Sequence, residues 1–188
     1  MIALIVVIVI VVVLGLLLIG AYNRLVSLRQ NANEAFADID VQLKQRQDLI
    51  PNLVESVKGY ASHERGTLDE VTAARTAAAG ATTVEGKVQA ENALTGALGR
   101  LMAVAEAYPD LKANTNFLQL QDQLSDIENK LAAARRFFNN AVGEYNASIQ
   151  SFPAVLIAGA AGFQAREFFD VGADRATLSA APPQVKFS

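Results

Sequence analysis

Cysteine is absent from all 188 residues. That excludes disulfides, thiolate nucleophiles, Cys-bound zinc and a lipid-modified cysteine, and it leaves the redox compartment undetermined. Tryptophan is absent too, and there is one histidine, His63. A lone histidine without cysteine is too poor a donor set for a transition-metal site. Charge is missing from one place in particular. Every one of the 16 Lys and Arg and 19 Asp and Glu residues lies beyond Asn23. The net charge of −3 is mild and no Lys/Arg cluster occurs, so no nucleic-acid partner is expected.

What fills the uncharged start is MIALIVVIVIVVVLGLLLIGAY. Ile2 to Tyr22 make 21 residues without Asp, Glu, Lys, Arg or His. As a helix they cover roughly 30 Å, the thickness of a bilayer's hydrocarbon core. A helix satisfies its own backbone groups, as a lone segment in lipid must. Residues 1–22 are therefore expected to be a single-pass transmembrane anchor, with membrane lipid as partner of residues 2–22. A cleaved signal peptide would want a basic start, a shorter apolar core and small residues at its end. Here Leu18, Ile19 and Tyr22 crowd that end. Arg24 and Arg29 follow the run and nothing basic precedes it, so the positive-inside rule places the following domain in the cytoplasm, with the opposite side as the alternative.

Beyond the run, apolar residues recur at steps of three and four: Leu25, Leu28, Ala32, Phe36, Ile39, Leu43, then Leu49, Ile50, Leu53, Val57, Ala61. Neither Gly nor Pro separates this stripe from the run, so anchor and first helix are expected to be continuous, extending towards Ala79. Pro51 cannot donate to the carbonyl of Gln47, so a helix kink is expected there. The alternative is a break between two helices, with Asp48 near the new start. Residues 80–86 (GATTVEG) read as a loop. A second helix is expected over Lys87–Ala107, where two glycines and many alanines suggest close helix approach. Pro109 either ends it or opens the next.

The third stretch is the clearest periodic signal. Phe117, Leu124, Leu131, Phe138, Tyr145 and Phe152 fall seven apart, and Leu120, Ile127, Ala134, Ala141 and Ser148 form a second column. Pro153 closes it. The fold class expected is all-α: an N-terminal transmembrane helix continuing into an antiparallel bundle of long helices over 23–153, with an apolar C-terminal tail over 154–188. In that arrangement the second helix returns to the membrane and the third carries the chain outward again.

The tail holds AVLIAGAAGF (154–163), too short to cross a bilayer, then Phe168 and Phe169. Phe163, Phe168, Phe169 and Leu156 are the candidate interaction residues, because clustered apolar side chains are seldom left in water. They pack either on their own bundle or on a neighbouring subunit.

Chemistry is harder to find. His63 in YASHERGTLDE has Glu64, Asp69 and Glu70 nearby, yet the polar face of a helix end explains it better than general-base catalysis. Asp38 and Asp40 point to different helix faces. Gly96 and Gly99 lie in a helical pattern, not a phosphate loop. Arg135-Arg136 read as solvated arginines flanking the seam, and Asn146-Ala147-Ser148 as a glycosylation pattern too short to mean anything. No catalytic, cofactor-binding or metal residue is assigned, and the chain is not expected to be an enzyme.

Several stretches together carry a resemblance: AYNRLVSLR (21–29), DIDVQLKQRQDLIPNLVESVKGYASHE (38–64), YPDLKANTNF (108–117), ARRFFNNAVGEYNASIQSFP (134–153) and the GF…FF tail. In order and in wording they resemble the LemA family, over nearly the whole chain. The family pattern usually has Trp at the position of Phe36, a Tyr-Asn pair where Phe138-Asn139 stands, and a proline near Arg166. The resemblance implies a bacterial membrane protein with one N-terminal span and a long-helix bundle. One branch of the family takes part in forming magnetosome membranes, which implies membrane shaping or organisation. The expected function is a membrane-anchored helical scaffold that self-associates as a homo-oligomer. The alternative is a monomeric adaptor that recruits an envelope protein.

Overall fold

A computed structural model describes residues 1–169. Among them there are six helices and no strand: α1 (Ile2–Lys58), α2 (Arg65–Gly80), α3 (Val84–Glu106), α4 (Pro109–Lys112), α5 (Thr115–Gln150) and α6 (Val155–Ala158). The all-α expectation holds, and the uncharged run and the first apolar stripe are one continuous 57-residue helix. That helix runs unbroken through Pro51. It stops at Lys58 instead of continuing to Ala79. Gly59, a poor helix former, opens a turn in which Tyr60 and Ala61 both donate to the Val57 carbonyl.

The break splits the expected first helix in two. With one extra helix in the series, the third long helix, α5, ends beside the uncharged run rather than away from it. A pocket lined by Leu16, Gly20 and Ala21 on one side and Ser151 and Pro153 on the other shows this. The loop after α2 is also shorter than expected, only 81–83. Thr83 caps α3 by accepting from the Gly86 backbone N–H at 3.1 Å, so helix starts where the sequence looked loop-like. Pro109 opens α4 from its first position, where a missing N–H costs nothing.

The chain divides into two compact units. The first comprises 1–42 and 130–168. Its core holds Leu25, Leu28, Tyr145, Ile149, Ala154, Ala158 and Phe163. Pairs between its helices fall in reverse order along the two chains: Arg24 with Glu144, and Phe36 with Phe138 at 5.4 Å between ring centres. In the same unit most of residues 2–24 is exposed and none of it buried. That stretch holds the one helix segment, among the described residues, long and apolar enough to cross a membrane.

The second unit is built largely from residues 43–129. Ile50, Leu53, Val57, Val71, Leu94, Leu101, Leu111 and Phe117 are the most deeply buried large apolar side chains of its core. Its α2 and α3 pack as a helical hairpin. The glycines of α3 do not make that contact. A Cβ on Gly99 would meet nothing within 4 Å, and one on Gly96 only the end of the Arg100 side chain. Buried Ala97 and Ala105 face inward instead.

The heptad columns are seen in α5. Phe117, Leu124, Leu131, Phe138 and Tyr145 are buried, and the second column is half-buried apart from buried Ile127. The first column ends at Tyr145. Phe152 is 75% exposed, because α5 stops at Gln150 and the chain turns.

Candidate functional site

On α1 the most deeply buried positions of the second unit run Leu43, Arg46, Ile50, Leu53, Val57, with Gln47 and Leu49 buried beside them. The steps are three and four, so Arg46 occupies a core position of an apolar stripe. On α3 the buried row is Glu91, Leu94, Leu98, Leu101, Ala105, with the same steps and buried Ala97 beside it. A charge therefore sits on each of two stripes that face the interior. Both side chains are 1% exposed.

The two charges meet. Arg46 Nη1 donates to Glu91 Oε2 at 2.6 Å. Its Nη2 donates to Thr95 Oγ1 at 2.9 Å, one turn further along α3, and lies 2.5 Å from Glu128 Oε1 of α5. One guanidinium thus ties α1, α3 and α5 together. Arg46 Nε and Glu91 Oε1 are buried without a hydrogen-bond partner in the protein. Removing charges from water costs several kcal/mol per ion, and only close pairing offsets it. The planar, multidonor guanidinium suits a three-way junction in a way that lysine would not.

One residue further along α1, a second polar contact resolves the proline. In a helix the Gln47 carbonyl would accept from the N–H of residue 51, which Pro51 lacks. Arg75 Nε of α2 donates to that carbonyl at 2.7 Å. A buried carbonyl left alone costs about 1–3 kcal/mol. Pro51 therefore creates an acceptor, and α2 is docked on it.

The tail has its own clasp in the first unit. The Asn146 side chain accepts from the Arg166 backbone N–H and donates to the Arg166 carbonyl, both at 2.9 Å. The Arg166 guanidinium donates to Asn33 Oδ1 at 2.6 Å and to the Arg29 carbonyl at 3.3 Å. Phe163 is buried, edge-on to Tyr22 with ring centres 5.6 Å apart, and Arg29 lies 4.9 Å above its face. The tail up to Phe168 packs on its own chain.

Of the tail residues singled out by sequence, Phe163 and Phe169 are buried, and Leu156 and Phe168 are exposed. His63 is exposed at the turn before α2; of the two arginines expected to be solvated, Arg136 is exposed on α5 but Arg135 is half-buried, with its Nε shielded from solvent. The residues that sequence reasoning passed over are Arg46, Glu91, Arg75 and Asn146. The first two had a readable signal, a charge at an apolar-stripe position. Asn146 had none, because its partner is backbone 20 residues away.

Comparisons agree with this picture. Magnetosome protein MamQ of Magnetospirillum gryphiswaldense is 26% identical over 174 residues, covering 79% of this chain and 64% of that protein. A MamQ protein of Paramagnetospirillum magneticum matches to the same extent. Protein LemA of Metamycoplasma hominis is 26% identical over 167 residues, 85% of this chain and 76% of that one. The chain thus spans a little under two thirds of the length of the magnetosome relatives. The LemA family pattern matches residues 35–187, which include the Arg46 junction, the Pro51 acceptor and the Asn146 clasp. This chain belongs to the LemA family.

Proposed function

We propose that this protein is a membrane-anchored helical scaffold that self-associates at a bacterial membrane and organises or shapes it, without a catalytic role. One observation carries the reading. The exposed apolar run and the buried stripe Leu25, Leu28, Ala32, Ala35, Ile39 belong to one uninterrupted helix, with the tail clasped against it. A helix passing from lipid into a packed core, with no linker, holds the water-exposed part stiffly on its anchor. Stiff presentation suits a building block. The magnetosome relatives support the organising role, and none of the relatives' names denotes a reaction. Arg24 and Arg29, directly after the run, favour a cytoplasmic domain. Phe168 and Phe137, exposed at 48% and 57%, are the aromatic side chains through which copies would meet.

A second reading has an observation of its own. Because the tail packs on its own chain, it leaves less apolar surface for neighbouring copies, as a monomeric adaptor for an envelope protein would. Light scattering and negative-stain imaging of the detergent-extracted full-length protein separate the two. A large uniform assembly that shrinks on Phe168→Ser or Phe137→Ser supports the scaffold. A monomer that co-purifies with another protein overturns it in favour of the adaptor.

A further inference from the structure

Where α5 ends, the chain makes an elbow beside the uncharged run. Leu16, Leu17 and Gly20 of α1 share a pocket of about 390 Å³ with Phe152, Pro153 and Ala154. Leu16 lies six residues inside Tyr22, about 9 Å along a helix. If residues 2–22 cross a bilayer, the elbow is carried below the surface that Tyr22 marks.

The elbow's composition suits that depth. Residues 151–165 contain no charged side chain. Phe152 is 75% exposed, Leu156 65% and Val155 49%, so three large apolar side chains of the elbow project outward. Its backbone suits it too. In lipid, unsatisfied carbonyls are costly, yet α5 has to end here. Ser151 Oγ donates to the Ala147 carbonyl at 2.8 Å, and Gln150 Nε2 to the Asn146 carbonyl at 3.1 Å. Leu156, Ala158, Ala161 and Phe163 donate in turn to the carbonyls of Pro153, Ala154, Ile157 and Ala158.

We propose that the elbow is a second membrane contact, in which Phe152, Val155 and Leu156 insert into the acyl boundary of the leaflet where α1 emerges. The occupant of this apolar surface is lipid, because the surface is continuous with the segment that spans. Interfacial elements bury their apolar face about 5–10 Å deep, which matches the register with Leu16. The anchor is then held at two points, one through the bilayer and one in it, and cannot swivel freely. The inference rests on the anchor reading above.

The natural lack of tryptophan makes the test clean. Full-length Phe152→Trp, Leu156→Trp and Phe137→Trp proteins are reconstituted into phosphatidylcholine–phosphatidylglycerol vesicles with or without brominated acyl chains. All three positions are exposed, so the larger ring meets open space. Position 137 is 15 residues back along the chain, about 22 Å of helix away. The expected result is blue-shifted emission that bromine quenches at 152 and 156, and emission at 137 that it leaves unchanged. Vesicle flotation is scored alongside. Protein that floats with unquenched, red-shifted tryptophan at 152 and 156 overturns the elbow contact and spares the anchor. Floating protein with blue-shifted but unquenched emission also overturns it, and assigns the surface to a second copy. Protein that fails to float overturns the anchor itself.

Discussion

The two units of this chain solve the same problem, satisfying polar groups inside packed helices, by opposite means. The second unit buries formal charge: Arg46 against Glu91, both 1% exposed, with the partly exposed Glu128 as a second partner. The first fastens its tail with a neutral amide on backbone. Asn146 grips both backbone groups of Arg166, and the charge of Arg166 reaches Asn33 at the surface. A buried ion pair is costly unless complete, so it punishes wrong helix packings as well as supporting the right one. An amide clasp is cheap and local, suited to fastening a tail onto a helix pair that stands without it. The lesson is that charge is placed where three helices must agree, and hydrogen-bonded amide where one strand of chain must be held down.

Four tests would break or sharpen that contrast. The largest effect is expected from Arg46→Met, which leaves Glu91 buried without its cation. A loss of about 3–5 kcal/mol is expected, seen as an early thermal transition by circular dichroism of the detergent-solubilised protein. Adding Glu91→Leu should recover much of it, since an apolar pair carries no charge to desolvate. If the double variant is no better than the single one, the junction is held by something other than its charges.

Next in size is Arg75→Met, which orphans the Gln47 carbonyl and should cost about 1–3 kcal/mol. Combined with Pro51→Ala, the loss should shrink, because residue 51 would then supply the missing N–H from within α1. Equal melting of Arg75→Met with and without Pro51→Ala would disconnect the arginine from the proline.

Asn146→Ala should cost about 1 kcal/mol globally. Its clearer signature is local: faster amide exchange and protease cleavage around residues 163–168, with the second unit unaffected. The smallest effect belongs to Glu70→Ala. Its partner Arg100 donates Nε at 2.8 Å, but both side chains are about half exposed, and such pairs contribute about 0–1 kcal/mol. A loss as large as that of Arg46→Met would erase the distinction between buried and exposed charge in this unit.

Much of the fold was legible in the residues. The uncharged run, the heptad columns of α5 and the apolar stripe of α1 each repeat one local rule over many positions, and repetition makes a pattern readable. The break at 59–64 was less so, since GYASHE offers one glycine and no proline against a stripe that continues on both sides. That one missed turn reversed the expected direction of α5. The site was half legible. Pro51 announced a freed carbonyl, but nothing near it in sequence named Arg75, 28 residues on. Arg46 and Glu91 stood on apolar stripes in plain view, and their mutual pairing lay 45 residues apart. The family departures at Phe36 and Phe138 prove to be neighbours, a fact no linear reading contains.

By itself the sequence determined that this is an all-helical chain of the LemA family with one long apolar run, because helical period, length and hydropathy are properties of consecutive residues. Tertiary structure alone decided that α5 ends beside that run, that the tail folds onto its own chain, and that a single arginine joins three helices. Each of these depends on which distant groups come within about 3 Å of one another, and a hydrogen bond or ion pair at that range leaves no periodic trace along the chain.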